Sequence, residues 1–176
     1  MFIRQAHAVD AAAIARVHVD SWRTTYAGIL PSDFLASLSY EEREQFWNRA
    51  LSALGRKTFI CVAEDDEGRV VGFASGGPER EGDPVYRGEL YAIYVLEQCQ
   101  RLGIGRRLAA AVVRRLVEQR IDSMLLWVLA DNPSRGFYET LGARRIREKA
   151  AKVGGIEVIE VAYGWSTLRD LSNLGA

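Results

Sequence analysis

Two short apolar runs, residues 90–95 and 124–129, bracket a glycine-containing turn and an apolar-periodic helix that continues through Leu116. Strand, turn, helix and strand in that order constrain the chain more than any other feature, because elements alternating this way pack as layers around a sheet. The turn reads Gln100-Arg101-Leu102-Gly103-Ile104-Gly105-Arg106-Arg107-Leu108. Glycine at 103 and 105 opens backbone angles closed to other residues and lets main-chain N–H groups approach an anion. The helix start adds unpaired N–H groups and the positive end of its dipole, and Arg101, Arg106 and Arg107 add charge at the same place. The segment is a candidate phosphate cradle.

The other elements follow from periodicity. Residues 2–5 read as a short strand, and Asp10 is placed to cap a helix carrying Ile14, Val17, Val19 and Trp22. A short helix around Phe34, Leu35 and Leu38 and another over 41–54 come next, with Phe46 and Trp47 expected in the core. Runs 58–63 and 69–76, joined by Asp65-Asp66-Glu67-Gly68, make a hairpin. After the central unit come a helix over 133–140, ended by Gly142, and two strands flanking Gly154-Gly155. The expected fold is α/β, a single domain with a mixed central sheet of about seven strands and helices on both faces, over residues 1–166 with a tail at 167–176.

Composition removes several function classes. The 176 residues suit one domain, and Lys plus Arg equals Asp plus Glu at 23 each, so no global field draws the chain to nucleic acid or a membrane. The basic residues instead cluster locally, although Arg114 and Arg115 read as a solvated helix face. Cys61 and Cys99 are too few for a disulfide framework, and Cys61 reads as a buried thiol. His7 and His18 have no partners at metal spacing, so no metal is expected and both read as surface or structural residues. No signal-like or membrane-length apolar run is present, which points to a cytoplasmic protein. The apolar alternation of 156–161 and Trp165 suggests pairing of strands between subunits as a homodimer.

Which phosphate loop this is can be narrowed. A P-loop needs Lys and Ser or Thr after its last glycine, where Arg106 and Arg107 stand, and a dinucleotide fingerprint needs glycine at 108, where Leu stands. The remaining pattern, Gln-x-x-Gly-x-Gly after the strand at 90–95, resembles the pyrophosphate-binding motif of the GNAT acyltransferase superfamily. The segment 126–132, followed by Arg135-Gly136-Phe137-Tyr138-Glu139 and Leu141-Gly142-Ala143, is similar to that superfamily's second motif. Trp22-Arg23-Thr24-Thr25-Tyr26 with Gly28-Ile29-Leu30-Pro31 resembles the first-helix region of many small bacterial acetyltransferases. The likeness covers nearly the whole chain.

The resemblance implies an N-acetyltransferase with the GNAT fold that moves an acetyl group from acetyl-CoA to a primary amine within a ternary complex. It implies cofactor contacts at Ile93, Tyr94 and Val95, whose backbone pairs with the pantetheine amides, and at Gln100, Arg101, Leu102, Gly103, Ile104, Gly105 and Arg106. Tyr138 is implied as the residue that protonates or hydrogen-bonds the departing thiolate, and Trp22, Tyr26 and Tyr91 as acceptor lining. Asn132 is implied as a further cofactor contact, but the gap to Tyr138 is one residue shorter than the family's usual spacing. Leu126 and Trp127 stand where ribosomal-protein-acetylating relatives carry a glutamate base, so the base must come from elsewhere. An amine with a pKa of about 10 is mostly protonated near neutrality and cannot attack a thioester until a base takes its proton. Glu89, at the position where histone acetyltransferases of the superfamily carry their glutamate, is the candidate. Strand alternation places Glu89, Tyr91, Ile93 and Val95 on one face. A small-molecule acceptor is favoured, with a protein N-terminus or lysine, a non-catalytic acyl-CoA sensor, and a nucleotide-binding protein as alternatives.

Overall fold

The computed structural model describes residues 1–53, 55, 57–168 and 171. Its seven strands form one mixed sheet in the order β1-β2-β3-β4-β5-β7-β6. The strands are β1 Phe2–Gln5, β2 Phe59–Glu64, β3 Val70–Pro78, β4 Gly88–Val95, β5 Met124–Leu129, β6 Arg144–Val153 and β7 Ile156–Trp165. All neighbours pair antiparallel except β4 and β5. The helices are α1 Ala11–Thr25, α2 Ser32–Ser37, α3 Tyr40–Ser52, α4 Ile104–Glu118 and α5 Arg135–Thr140. The sequence reading of 41–54 thus runs slightly long, and its residue 54 lies outside the described residues.

Helices cover both faces, as the layered pattern requires. On one face α4 lays Ile104, Leu108, Val112 and Leu116 over Ala74, Leu90, Met124 and Leu126. The helical period of these apolar residues produces one buried stripe, while Arg114 and Arg115 remain outside. On the other face Ile14 and Val17 of α1 and Trp47 and Leu51 of α3 enclose Ile60, Val62 and Phe73. A third cluster joins Val19 and Tyr26 to Leu35 of α2 and Leu129 of β5. Burying a leucine or phenylalanine fully contributes about 1.5–3 kcal/mol each, which explains why these stripes dictate the layering. No helix among the described residues is long and apolar enough to cross a membrane.

Several expectations need correction. The Asp10 carboxylate does not cap α1; it accepts the His7 N–H at 2.7 Å and takes both terminal nitrogens of Arg4 at 2.7 and 2.8 Å. Residues 8–10 form a 3-10 turn ahead of α1, so the carboxylate faces back along the chain. Trp47 is buried, but Phe46 is 44% exposed and meets Trp47 only edge-on. Strand β7 lies inside the sheet, and Trp165 is buried with its indole N–H donating to the Leu141 carbonyl at 2.8 Å. Both backbone edges of β7 are thus paired within the chain, while Ile156 and Ile159 stay exposed. Leu168 and Leu171 also enter the core, so the start of the tail packs on the domain; 169–170 and 172–176 lie outside the described residues.

His18 is a structural histidine. Its Nδ1 accepts the Trp47 indole N–H at 3.2 Å, and its ring stacks on Tyr94 with centroids 5.2 Å apart. Burial first, and then the charge of Arg43, lowers its pKa to about 3. Below the unfolded value near 6.5 the unfolded chain binds a proton that the fold refuses, so stability is lost as the pH falls from there toward 3. Urea titrations at pH 6.5 and 5 should show a loss of about 2 kcal/mol in the wild type that is missing in His18→Gln. An equal loss in both proteins would refute this origin.

Candidate active site

Strands β4 and β5 pair only at Gly88↔Met124 and Glu89↔Leu125. Beyond those positions they separate, although β4 stays paired with β3 as far as Val95 and β5 with β7 as far as Leu129. Residues 91–95 are accordingly half-exposed in the middle of a sheet whose central strands are otherwise buried. The register shift between Ser75 and Gly76 skips Tyr91, which makes Tyr91 a bulge residue. A bulge bends its strand and sharpens the local twist, and this one sits where β4 leaves β5. It also corrects the alternation: Ile93 and Val95 pack with Leu90 on the α4 side, whereas Ala92 and Tyr94 pack on the α1 side. Glu89 and Tyr91 line a cleft with Tyr94, on the α1 side. Beyond residue 89 the facing edges of β4 and β5 do not pair with each other, which leaves room for an extended ligand as a sheet edge does.

The cradle follows at the open end of β4. Arg101 has φ 62° and Gly103 φ 78°, so the chain turns sharply into α4, and glycine at 103 takes that angle without steric cost. The first helical bond runs from Arg107 N–H to the Gly103 carbonyl at 3.1 Å. The N–H groups of Ile104, Gly105 and Arg106 precede it and face outward from the helix end. Gly105 has a different reason from the one the turn suggests: it is helical, and a Cβ there would lie 3.2 Å from the Phe137 ring. Its absence lets α5 approach α4. Arg101 and Arg106 are exposed and make no ion pair among the described residues. Arg107 instead donates to the Met1 carbonyl, and the Gln100 side chain donates to the Val95 carbonyl at 3.1 Å, holding the loop.

A cleft of about 270 Å³ lies over the mouth of the split, lined by Glu89, Tyr91 and Tyr94 from β4 and Trp127 and Leu129 from β5. Trp22 of α1 and Tyr26 just after it form another wall, and Arg80, Glu81, Lys149, Val153 and Glu160 complete it. The three expected acceptor residues thus meet around the expected base. Glu89 is 3% exposed, and both its oxygens are taken by Arg80, with Nε donating to Oε2 at 2.9 Å and an amino group to Oε1. The Arg80 guanidinium lies 4.3 Å from the Tyr91 ring centroid, and the carboxylate holds it above its ordinary pKa. The Tyr91 hydroxyl donates to the Pro78 carbonyl at 2.6 Å, while the buried Trp22 indole N–H lies toward the Tyr94 hydroxyl. Lys149 sits 3.9 Å over Trp127 and pairs with Glu81 at 2.6 Å.

Tyr138 enters from the opposite side of the sheet, packed between Phe137 and Tyr163 in the α4 core. Burial, reinforced by the nearby Tyr26 phenol, pushes its pKa up, and its hydroxyl makes no hydrogen bond among the described residues. Asn132 is buried and occupied: its Nδ2 donates to the Tyr26 hydroxyl at 3.1 Å and its Oδ1 accepts the Ser134 N–H at 2.7 Å. It ties α1 to the loop before α5. Arg80, Lys149 and Trp127 were not foreseen as cleft residues. Arg80 belongs to the irregular stretch between β3 and β4, where no periodicity marks direction; Lys149 required the β6–β7 register. Among the described residues, no group of three His, Cys, Asp or Glu is placed to hold a metal ion.

The helix start after β4 and the cleft lined by β4 and β5 are the two features that accompany the split between these strands. The chain belongs to the acetyltransferase (GNAT) family, whose model it matches over residues 16–143. It is an enzyme of the acyltransferase class. It is 44% identical over 173 residues to YuaI of Bacillus subtilis (strain 168), an uncharacterized N-acetyltransferase, covering 98% of this chain and 96% of that one. Its fold is similar to the paiA N-acetyltransferase of Thermoplasma acidophilum, solved in complex with coenzyme A, with TM-score 0.67, 22% identity and coverage of 91% and 96%. It is also similar to the ribosomal-protein-alanine N-acetyltransferase of Brucella melitensis, with TM-score 0.70, 24% identity and coverage of 94% and 99%.

Proposed function

We propose that the enzyme transfers an acetyl group from acetyl-CoA to the primary amine of a small molecule, by direct attack with both substrates bound. The observation that carries this reading is the parting of β4 from β5 after two paired residues, which joins the cradle to the cleft. Acetyl-CoA fits both ends: its pyrophosphate suits the helix start at residues 101–106, and its amide-bearing arm suits the edge of residues 93–95 that β5 leaves unpaired. The cleft, at about 270 Å³, is of a size that suits a small acceptor.

Glu89, directly or through water, takes a proton from the ammonium of the acceptor. The freed nitrogen attacks the thioester carbonyl, whose oxygen is polarised by main-chain N–H near Val95; the carbon–sulfur bond breaks, and the second nitrogen proton passes to the departing thiolate or to solvent. Tyr138 donates a hydrogen bond to the sulfur. A thiol of pKa about 8.5 competes poorly for the proton of a phenol that burial has raised above 10, so hydrogen bonding to the thiolate is favoured over complete transfer.

A calorimetric titration with acetyl-CoA, CoA, ATP and NAD tests the ligand assignment, followed by thiol-release assays with an amine panel. Micromolar binding of acetyl-CoA and CoA alone, with release dependent on an amine, is expected; absence of either refutes the reading. Arg101→Gln/Arg106→Gln should weaken CoA about tenfold or more at low salt, because charged contacts to phosphate contribute about 1.5–3 kcal/mol each. The deficit should shrink as salt is raised. A deficit unchanged by salt would place the phosphates elsewhere.

A further inference from the structure

The cleft holds charges of both signs: Arg80 and Lys149 against Glu81, Glu89 and Glu160. Four of these are paired, Arg80 with Glu89 and Lys149 with Glu81. Glu160 faces Lys149 across the β6–β7 ladder but makes no ion pair among the described residues. The pairing of Glu89 conflicts with its use as a base, since one guanidinium engages both oxygens and neutralises the charge an incoming ammonium needs. The two partners differ in freedom. The Arg80 side chain is 61% exposed and the Glu89 side chain 4%, so it is Arg80 that can turn away.

We propose that the acceptor is an amino carboxylate, and that its own carboxylate draws Arg80 off Glu89. This rests on the reading of Glu89 as the base. A ligand carboxylate presents the same two oxygens as Glu89, so it satisfies the guanidinium fork equally well. The exchange trades one ion pair for another, and the Tyr91 ring supports the guanidinium throughout. Glu160 attracts the ammonium of the ligand into the cleft. Once freed, Glu89 receives one proton from that ammonium, leaving a neutral amine and a carboxylic acid. An amine without a carboxylate leaves the Arg80–Glu89 pair closed. The device thus makes recognition of the acceptor a condition for having a base.

Initial rates of thiol release with the proteinogenic amino acids and their carboxamides, at saturating acetyl-CoA, test this. The carboxamides carry the more easily deprotonated amine, so intrinsic reactivity favours them. The wild type should nevertheless prefer the best free amino acid over its carboxamide by about a hundredfold or more in kcat/KM, as expected of a site built to pair a substrate group. In Arg80→Met that preference should fall at least about tenfold, with the carboxamide rate rising, while acetyl-CoA affinity measured by calorimetry stays within about twofold. Equal or better use of carboxamides by the wild type overturns the inference. So does turnover of other amines with no amino acid accepted, a result that leaves the acetyltransferase reading standing. Failure to bind acetyl-CoA removes that reading and the inference with it.

Discussion

Glu89→Gln should lower kcat by about 10² to 10⁴-fold while leaving acetyl-CoA affinity unchanged, because general base catalysis is worth that much. The substitution is nearly isosteric, and the glutamine carbonyl still accepts from Arg80, so the cleft wall should keep its shape. The deficit should narrow as the pH approaches the amine's own pKa of about 10, where the acceptor deprotonates without help. A purely structural Glu89 would behave otherwise: the variant would lose stability rather than rate, and its residual activity would show the wild-type dependence on pH. Stopped assays across pH 7 to 10, with thermal melts of the same samples, separate the two.

Tyr138→Phe should cost about 10² to 10³ in kcat, the usual loss when one donor to a developing anion is removed. Here the stability expectation is unusual for a buried tyrosine. Its hydroxyl makes no hydrogen bond among the described residues, and its ring contacts with Phe137 and Tyr163 survive the change. Removing a hydroxyl that bonds to none of the described residues leaves no orphaned group behind, so the melting temperature should hold. A lower melting temperature with kcat intact would show that Tyr138 is a core anchor and no more.

Much of this site was legible in the chain because it rests on local pattern. The cradle announces itself through two glycines and the start of an apolar-periodic helix, and α4, β4 and β5 all form near the positions that periodicity indicates. Trp22, Tyr26, Tyr91 and Glu89 do converge on one cleft. What was illegible depends on pairing over distance. The bulge at Tyr91 breaks a period of two that residues 89–95 read alone would keep, and only the register with β3 shows the extra residue. Gly105 looked like a turn glycine, but its neighbour is a ring more than thirty positions away. Arg80 gives no signal at all, because the loop that carries it has no period and its partner lies on the next strand. The hydrogen bond of Asn132 to Tyr26 spans 106 positions, and no local pattern signals it.

The most direct test of the account is a crystal structure of the protein with CoA. The arm should lie between residues 90–95 and 126–129, with the pyrophosphate against the N–H groups at 103–106 and the sulfur within hydrogen-bond reach of the Tyr138 hydroxyl, at the mouth of the cleft containing Glu89. CoA bound outside the split, or a sulfur remote from both Tyr138 and that cleft, would contradict it.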